Sequence, residues 1–486
     1  MTALEEKKEE VISSLSSSSS LPPSSSSSSP VPSCTPSPIQ PPIPVDRQWI
    51  TKLLRRYPNP QSLYQDKALV VAPMVDQSDL PFRLLCRRYG ANLAFTPMIH
   101  ARLLVNSQPY RKKFLGTWLP HHQDRPLIAQ ICGSDPETVL QAARYLEPHV
   151  DGIDINCGCP QGIAKRGNYG AFLLEQEETL VTLVRYLIQH LTIPLSVKVR
   201  LLPTEDPQDS LPASLALYTK LVQEGIHLLT IHGRNRHQKG LLTGRADWSA
   251  IAHVVQMLGP TIPIFANGSI ETPDDIHECF RVTGADGIMS SESVLEYPPL
   301  FYHQPQSPIP LRTIGRLQLA QEYLHLAVQY PPQKGGQGSG LKCIRIHIHR
   351  FLHADLQVDT ELRQAVISME TLEGLQQAVN TLRERHIQSG HVVASESLSW
   401  YHRHRQDPVA VQERLERNSA VKRHELQDDA AECFCTLFGD DNDDDEEGEC
   451  DGNQEANKAV DEDEFDDDDD EDENEDDYYE NEYELT

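Results

Sequence analysis

The sequence predicts an α/β fold, a (β/α)8 TIM barrel followed by a smaller helical domain, with disordered tails at both ends. Between roughly residues 65 and 302, eight apolar strand-like runs alternate with amphipathic helical stretches. The runs recur about every 25–40 residues, which suits a repeated strand and helix. Polar residues stand at the carboxyl end of nearly every run. An open, doubly wound parallel sheet is the alternative fold.

The predicted strands are short and end in polar or conformationally permissive residues. They are Ala68–Met74, Leu93–Met98, Pro126–Cys132, Gly152–Gly158, Pro194–Arg200, His227–Gly233, Pro263–Ser269 and Gly287–Glu292. In a barrel the carboxyl ends of all strands face one mouth, where the active sites of this fold lie. Polar residues at nearly every strand end therefore predict a functional site at that mouth.

The predicted helices lie between the strands, and two of them have clear start signals. They include Asp135–Leu146, Ala171–His190, Leu211–Glu224 and Pro273–Val282. Asp135 and Thr272 are each followed by a proline and then by an acidic residue. This order supplies a capping side chain, a proline suited to the first turn and a negative charge near the positive end of the helix dipole.

The negative charge of the chain is concentrated near its carboxyl terminus. Residues 440–486 contain 28 Asp and Glu and one Lys, so they hold −27 of the formal net charge of −29. The rest is nearly neutral, so the overall acidity does not argue against a nucleic-acid substrate. We predict that this acidic tail and the Ser/Pro-rich residues 1–45 are disordered. Residues 65–302 would form the barrel, residues 303–340 a linker and residues 341–430 a helical region.

The sequence predicts neither secretion nor membrane insertion. No apolar run reaches the length that spans a bilayer, and the amino-terminal residues lack the apolar core of a signal peptide. The ten cysteines are scattered and do not form the disulfide pattern of a small secreted domain. These features predict a reducing compartment, either the cytoplasm or the nucleus.

A cysteine-containing turn after the fourth predicted strand is the most informative segment. Asp154–Gly170 runs from an apolar strand into polar residues and glycines, with Cys159 between a glycine and a proline. Cys157 and Cys159 are spaced as C-x-C, and no second pair follows at zinc spacing, so we expect no metal there. A free thiol is mostly protonated near neutral pH and can act as a general acid. A nucleophilic thiolate would need an adjacent base, and whether His232 is close enough is open.

The ends of the later strands suit an anionic ligand. Phosphates often bind after strands seven and eight of such barrels. There, Asn267, Gly268 and Ser269 begin a turn in which glycine allows close approach, and Ser291 offers a hydroxyl. Lys198 ends an apolar strand and needs either an anionic ligand or an internal salt bridge. Since neither a G-x-G-x-x-G motif nor a P-loop is evident, a phosphate-bearing cofactor in the barrel mouth is the better interpretation.

Five motifs, in order and spacing, resemble those of the tRNA-dihydrouridine synthases. They are Ala72–Ser78, Asn156–Gln161, Lys198–Arg200, Ile231–Arg234 and Ala266–Gly268. The resemblance covers residues 65–300 closely and residues 341–390 more loosely. The segment Gly158–Lys165 is especially similar to the eukaryotic subgroup that acts on uridines 16 and 17 of the D-loop.

The resemblance implies an FMN-dependent enzyme that reduces uridine in tRNA to 5,6-dihydrouridine, with NADPH as the reductant. Cys159 would be the general acid that protonates C5 of the base, while the flavin supplies a hydride to C6. Asn156, Arg200 and Arg234 would bind the extruded nucleotide. The FMN contacts would be Pro73, Met74, Val75, Gln130, Lys198, His232, Asn267, Gly268, Ser269, Ser291 and Glu292.

One position departs from the family pattern. Many members have Gly-Arg after the last strand, where the guanidinium can meet phosphate, whereas Ser291 and Glu292 stand here. A glutamate cannot pair with phosphate, so backbone N–H groups or the Ser291 hydroxyl would make that contact.

The resemblance also implies that the carboxyl-terminal helical region binds tRNA. Candidate contacts are Lys342, Arg345, Arg350 and Trp400–Arg405, each of which could equally be solvated surface. His347, His349 and His353 could suggest a metal, but we predict none. The acidic tail, whose partners the sequence does not identify, would compete with tRNA for the basic surface.

Two other functions are open at this stage. An FMN barrel could reduce a free pyrimidine, which predicts turnover without the helical domain. A non-catalytic tRNA-binding scaffold predicts a purified protein without the colour of flavin.

Overall fold

The computed structural model describes residues 43–118, 123–239, 243–302, 315–331 and 340–389. Outside these residues lie the predicted acidic tail, almost all of the predicted amino-terminal tail, most of the predicted linker and the segment Trp400–Arg405. The helical region predicted to reach residue 430 is described as far as residue 389.

Nine parallel strands form the centre of the fold, and eight of them close into a barrel. The strands are β1 (Ala68–Val71), β2 (Leu93–Phe95), β3 (Ile99–His100), β4 (Leu127–Cys132), β5 (Gly152–Cys157), β6 (Leu195–Arg200), β7 (Leu228–His232), β8 (Ile264–Asn267) and β9 (Gly287–Ser290). β1 pairs with both β2 and β9, and β2 pairs with β4, which closes the ring. The predicted eight-stranded barrel is confirmed, and the open sheet is excluded.

The second predicted strand, Leu93–Met98, is shorter in the structure. β2 ends at Phe95, and after three residues the chain pairs again with β4 as the short strand β3. Thr96 still donates its N–H to the carbonyl oxygen of Ile128 at 3.0 Å. Pro97 has no N–H to donate, so the hydrogen-bonded ladder is interrupted there.

Helices surround the barrel and continue after it as a smaller helical part. They are α1 (Trp49–Arg56), α2 (Leu80–Arg88), α3 (Ala101–Asn106), α4 (Gln108–Trp118), α5 (Pro136–Leu146), α6 (Gly162–Arg166), α7 (Ala171–Leu174), α8 (Glu177–His190), α9 (Ser210–Gln223), α10 (Trp248–Leu258), α11 (Pro273–Thr283), α12 (Glu292–Glu296), α13 (Arg316–Gln329), α14 (Leu341–Phe351), α15 (His353–Val358), α16 (Thr360–Ser368) and α17 (Leu372–Ser389). The helix predicted over Ala171–His190 is divided into α7 and α8. None of the described helices has the length and apolar character needed to cross a membrane.

Both predicted helix starts have their caps. Asp135 accepts the backbone N–H of Thr138 at 2.8 Å and caps α5. Thr272 and Asp275 form a reciprocal capping box at the start of α11. These local contacts satisfy N–H groups that the first turn of a helix leaves without partners.

The barrel interior changes from apolar to polar along the strands. Its inner apolar cluster includes Val70, Phe95, Ile128, Leu228, Phe265 and Met289, together with Ile50 and Leu54 of α1. Side chains alternate across a strand, so Gln130 follows Ile128 on the inner face and Thr230 follows Leu228. The carboxyl ends of the strands therefore supply the polar side chains of the barrel.

Candidate active site

The strand register brings three predicted site residues, Gln130, Asn156 and Lys198, together with other polar residues at the barrel mouth. Gln130 lies beside Asp154, and Asp154 lies beside Ser196. Two residues further along β5, Asn156 lies beside Lys198. The parallel pairing thus places residues from β4, β5 and β6 on one inner surface.

A continuous chain of hydrogen bonds leads from the barrel interior to the backbone of Cys159. Ser196 Oγ donates to Asp154 Oδ1 at 2.6 Å, and Gln130 Nε2 donates to Asp154 Oδ2 at 2.8 Å. Gln130 Oε1 accepts from Asn156 Nδ2 at 2.7 Å. Asn156 Oδ1 then accepts the backbone N–H of Cys159 at 2.9 Å and that of the preceding residue at 3.0 Å.

The carboxylate of Asp154 determines the direction of this chain. An ionised carboxylate only accepts hydrogen bonds, so Gln130 must turn its amide N–H toward it. The amide oxygen of Gln130 then faces Asn156, whose own oxygen is left to hold the turn at Cys159. Our sequence analysis missed Asp154 and Ser196 as site residues. The available signal was a polar side chain at an inward position of an otherwise apolar strand.

Burial shifts the pKa values of both charged residues inside the mouth. It raises the pKa of Asp154 to about 6, although hydrogen bonds from Ser196 and Gln130 and the charge of Lys198 oppose the shift. Burial, together with the nearby charge of Arg200, lowers the pKa of Lys198 to about 8, although the charge of Asp154 opposes the shift. The Lys198 ammonium donates no hydrogen bond to a described residue. Such a group is suited to an anionic or electron-rich ligand.

The two cysteines of the C-x-C sequence have different environments. Cys157 is fully buried in the core between the barrel and its helices, whereas Cys159 is partly exposed. The carbonyl oxygen of Cys159 accepts the N–H of Ala171 at 2.9 Å. Gly170 has a φ of 64°, and a Cβ there would lie 2.6 Å from that carbonyl oxygen. Glycine therefore lets the chain pack directly against the turn that holds the thiol.

Cations surround the turn of Cys159. Nε of Arg200 donates to the carbonyl oxygen of Gly158 at 2.7 Å. A Cβ at Gly158 would lie 4.0 Å from Lys198 Nζ. A negative charge on Cys159 raises the pKa values of both Lys198 and Arg200, although burial lowers each of them more. The two cations would in return stabilise a thiolate at Cys159.

Arg234 connects three loops at the mouth. Its Nη1 lies 3.1 Å from His232 Nε2, and its Nη2 donates to the carbonyl oxygen of Gly244 at 2.7 Å and to Ser269 Oγ at 3.1 Å. Since a guanidinium only donates, Nε2 of His232 accepts this hydrogen bond. The geometry gives Arg234 a positioning role, and its direct contact with substrate stays a prediction.

The turn after β8 is braced in an unusual backbone conformation. Gly268 has a φ of 105° and Ser269 a φ of 57°. A Cβ at Gly268 would lie 2.8 Å from the His232 ring, so glycine is required at this approach. Asn267 Nδ2 donates to the carbonyl oxygen of Met289 at 2.9 Å. Strained backbone of this kind is retained where the surroundings enforce it, often at ligand sites.

The loop after β1 supplies apolar surface at the mouth. Pro73 and Met74 are half-buried, and Val75 is 52% exposed. Ser78 fixes this loop, because its Oγ accepts the N–H of Met74 at 3.0 Å. The family resemblance implies that these side chains contact the flavin, and that contact stays a prediction.

The residues that depart from the family pattern lie at the start of α12. Ser291 and Glu292 are both half-buried. The charge of Glu292 raises the pKa of Arg200, although burial lowers it more. Glu292 therefore faces the cationic side of the mouth, and a direct contact with a cofactor is not required to explain its position.

Comparison with known proteins reveals the family of the chain. The sequence pattern of one family, described as Dihydrouridine synthase (Dus), matches residues 70–389, which is more than half of the chain. The chain belongs to the dihydrouridine synthase family. The match runs through the barrel and through the helices that follow it.

Several curated relatives of this protein are named as tRNA-dihydrouridine synthases. The mouse protein named tRNA-dihydrouridine(16/17) synthase (NAD(P)(+))-like is 40% identical over 317 residues, which are 65% of this chain and 62% of the mouse protein. The Schizosaccharomyces pombe protein named tRNA-dihydrouridine(16/17) synthase (NAD(P)(+)) is 40% identical over 297 residues, 60% of this chain and 71% of the yeast protein. A human tRNA-dihydrouridine(20a/20b) synthase-like protein is 33% identical over 246 residues, 49% of this chain and 72% of the human protein. The chain thus spans less than two thirds of the mouse relative's length.

Proposed function

We propose that this member of the dihydrouridine synthase family reduces uridine in tRNA to 5,6-dihydrouridine, at positions 16 and 17 of the D-loop. The observation that supports this most is the hydrogen-bonded chain that holds the turn of Cys159 beside Lys198 and Arg200. The names of the mouse and fission yeast relatives support the choice of uridines.

The residues of the barrel mouth fit FMN as the cofactor. Among the described residues, the Lys198 ammonium donates no hydrogen bond, and beside it the buried Thr230 Oγ1 has no hydrogen-bond partner. The polar edge of a planar, electron-rich ring would satisfy both groups, and Met74 would offer it an apolar surface. When bound, the flavin would supply a hydride to C6 of the uracil.

The turn after β8 would hold the cofactor phosphate. Gly268 allows a close approach to the backbone, and the Arg234 guanidinium, bonded to Ser269 Oγ, places a positive charge beside the turn. Asn267 and Ser291 would complete this end of the site. The negative charge of Glu292 would repel phosphate. We propose instead that this charge balances the positive charge of Arg200.

Cys159 would act as the general acid. A neutral thiol can give its proton to C5 of the uracil ring as C6 receives hydride, which saturates the double bond. The thiolate that remains would be stabilised by Lys198 and Arg200 until it takes a proton from solvent. Asn156 and Arg200 would orient the extruded base above this thiol.

The remaining assignments rest on the family relationship. NADPH would be the reductant, since the relatives are named for NAD(P)(+). Residues 65–302 would be the catalytic part and residues 341–430 the tRNA-binding part, in the cytoplasm or nucleus. Lys342 on α14 is exposed, whereas Arg345 Nη1 donates to the carbonyl oxygen of Ile367 at 2.7 Å and so braces the end of α16.

The test compares two cysteine variants of the full chain. Cys159→Ala should retain bound flavin and lose dihydrouridine formation on unmodified tRNA by about 100-fold or more. Cys157→Ala is the matched control, because that thiol is buried away from the mouth, and it should remain active. Activity measured by mass spectrometry of digested tRNA also reports the position of the modified uridine.

Three results would contradict the proposal. A colourless purified protein would favour a non-catalytic scaffold. Turnover of free uracil at the rate seen with tRNA would favour the pyrimidine reductase, which the family match already disfavours. Equal activity of Cys159→Ala and the unaltered chain would remove the thiol from the reaction.

A further inference from the structure

A group of side chains that could bind a metal ion lies between α2 and α14, next to the end of the loop after β1. Asp79 immediately precedes α2, and Cys343 and His347 lie on α14. Their ligand atoms all lie within 4.8 Å of one another. Residues four apart on a helix share one face, so Cys343 and His347 both face Asp79.

Asp79 does not perform the usual role of its position. It is the N-cap residue of α2, where an aspartate normally accepts an N–H of the first turn, yet its side chain makes no capping hydrogen bond. Its Oδ2 accepts instead from the Tyr323 hydroxyl at 3.3 Å. Its Oδ1 points toward His347 and has no hydrogen-bond partner among the described residues.

His347 is completely buried and lacks hydrogen bonds. Its side chain is 0% exposed, and within the described part of the chain neither ring nitrogen has a hydrogen-bond partner. The ring is held by aromatic stacking, with the Phe82 centroid at 4.5 Å and the Tyr323 centroid at 4.7 Å. A buried imidazole without partners is costly, which calls for a further group at this position.

The separation of Asp79 and His347 suggests what that group is. Oδ1 of Asp79 lies 3.3 Å from His347 Nε2, without the alignment of a hydrogen bond. Oxygen and nitrogen ligands about 2.0–2.1 Å from a tetrahedral zinc ion lie about 3.3 Å from each other. The two atoms are therefore already spaced as ligands of one metal ion.

We propose that Asp79 Oδ1, Cys343 Sγ and His347 Nε2 bind one Zn²⁺ ion, with water as the fourth ligand. Carboxylate, thiolate and imidazole together suit zinc, whereas magnesium and calcium take oxygen ligands. The side chain of Asp79 is 24% exposed, which gives the ion and its water a route from solvent. Tyr323 orients the carboxylate through its other oxygen, as outer-sphere partners of metal ligands do.

The ion would join the barrel to the helical part. α2 packs on the barrel, and α14 belongs to the helices that we assign to tRNA binding. A bond network through one metal fixes these elements together and contributes to folding stability. Among the three histidines noted in the sequence, His347 alone belongs to the group, and the metal is absent from our sequence prediction because Asp79 is far from α14 in the chain.

Cobalt titration and metal analysis of the purified full chain test the proposal. After treatment with a chelator and reductant, added Co²⁺ should produce a thiolate-to-cobalt charge-transfer band, and added Zn²⁺ should abolish it and raise the unfolding temperature. Cys343→Ala should lose the band and bind about one zinc fewer per chain. Cys279→Ala, which removes a buried thiol on α11, should match the unaltered chain and is the control.

The comparison of variants is essential because other cysteines, including Cys433 and Cys435, lie outside the described residues. Asp79→Asn keeps the size of the ligand and should weaken zinc binding at least tenfold, which provides a second test if Cys343→Ala fails to fold. Equal metal content and equal cobalt spectra in Cys343→Ala and the unaltered chain would overturn the proposal. An unaltered chain without the band would also overturn it and would favour a simple ion pair of Asp79 and His347.

Discussion

Replacing Asp154 by asparagine would test whether the buried carboxylate directs the amide chain at the barrel mouth. Asparagine has nearly the same shape, but its amide donates as well as accepts. If its N–H₂ group faces Gln130, that amide must turn, and Asn156 must turn in response. The side chain of Asn156 would then present its N–H₂ group to the backbone N–H of Cys159. In the unaltered protein, Oδ1 of Asn156 accepts that N–H at 2.9 Å.

The size of the effect follows from one lost buried hydrogen bond. In that orientation two donors face each other at one point of the hydrogen-bonded chain, which costs about 1–3 kcal/mol, whereas an N–H₂ group turned toward the Ser196 hydroxyl would find an acceptor. If the mismatch stays at the turn of Cys159, proton transfer from the thiol loses that amount. Since about 1.4 kcal/mol corresponds to a tenfold change in rate, we expect dihydrouridine formation to slow by roughly 5- to 150-fold.

The free energy of unfolding should change much less, and with a different pH dependence. The pKa of Asp154 is raised from 3.8 to about 6, chiefly by burial, so ionising it destabilises the folded state. That cost is about 3 kcal/mol above pH 6 and disappears as the pH falls from 6 to 4. Asparagine never incurs this cost, which offsets its mismatched hydrogen bond near pH 7.

Single-turnover reduction of tRNA by the enzyme whose flavin has first been reduced with NADPH measures the activity, and urea unfolding at several pH values measures stability. Ser196→Ala is the matched control, because it removes one donor to Asp154 without altering the direction of the amide chain. We expect it to slow the reaction less than Asp154→Asn does. Full activity of Asp154→Asn, or a loss of activity matched by loss of flavin and of stability, would refute the reasoning.

Two further substitutions test the packing of the turn and of the core. Gly170→Ala would force a Cβ to 2.6 Å from the carbonyl oxygen of Cys159 at a φ of 64°, so dihydrouridine formation should fall by about tenfold or more. Gly162→Ala, with no atom within 4 Å, should be unaffected, and equal rates for the two variants would contradict this account. Asp124→Ala would leave two buried arginines without their carboxylate and lower the free energy of unfolding by about 3–5 kcal/mol. Urea titration measures this loss, and a change below about 1 kcal/mol would show that the arginines find other partners.

The sequence by itself was sufficient for the outline of the fold. Apolar runs of strand length alternate with amphipathic helices, and both periodicities are local properties of the chain. Helix starts at Asp135 and Thr272 were predictable for the same reason, because a cap is made within four residues. The polar ends of the strands also pointed to the barrel mouth, and the motif around Cys159 singled out its thiol.

The tertiary structure decided which of these residues work together. The barrel closes through the pairing of β1 with β9, which are distant in the chain. The register that sets Asp154 beside Gln130 likewise depends on pairing between separate segments. The same is true of Asp79, which turns away from its own helix toward His347, 268 positions later in the chain. Local patterns specify a residue's element and face, but the direction of a hydrogen bond or the assembly of a metal site depends on which distant side chains pack against it.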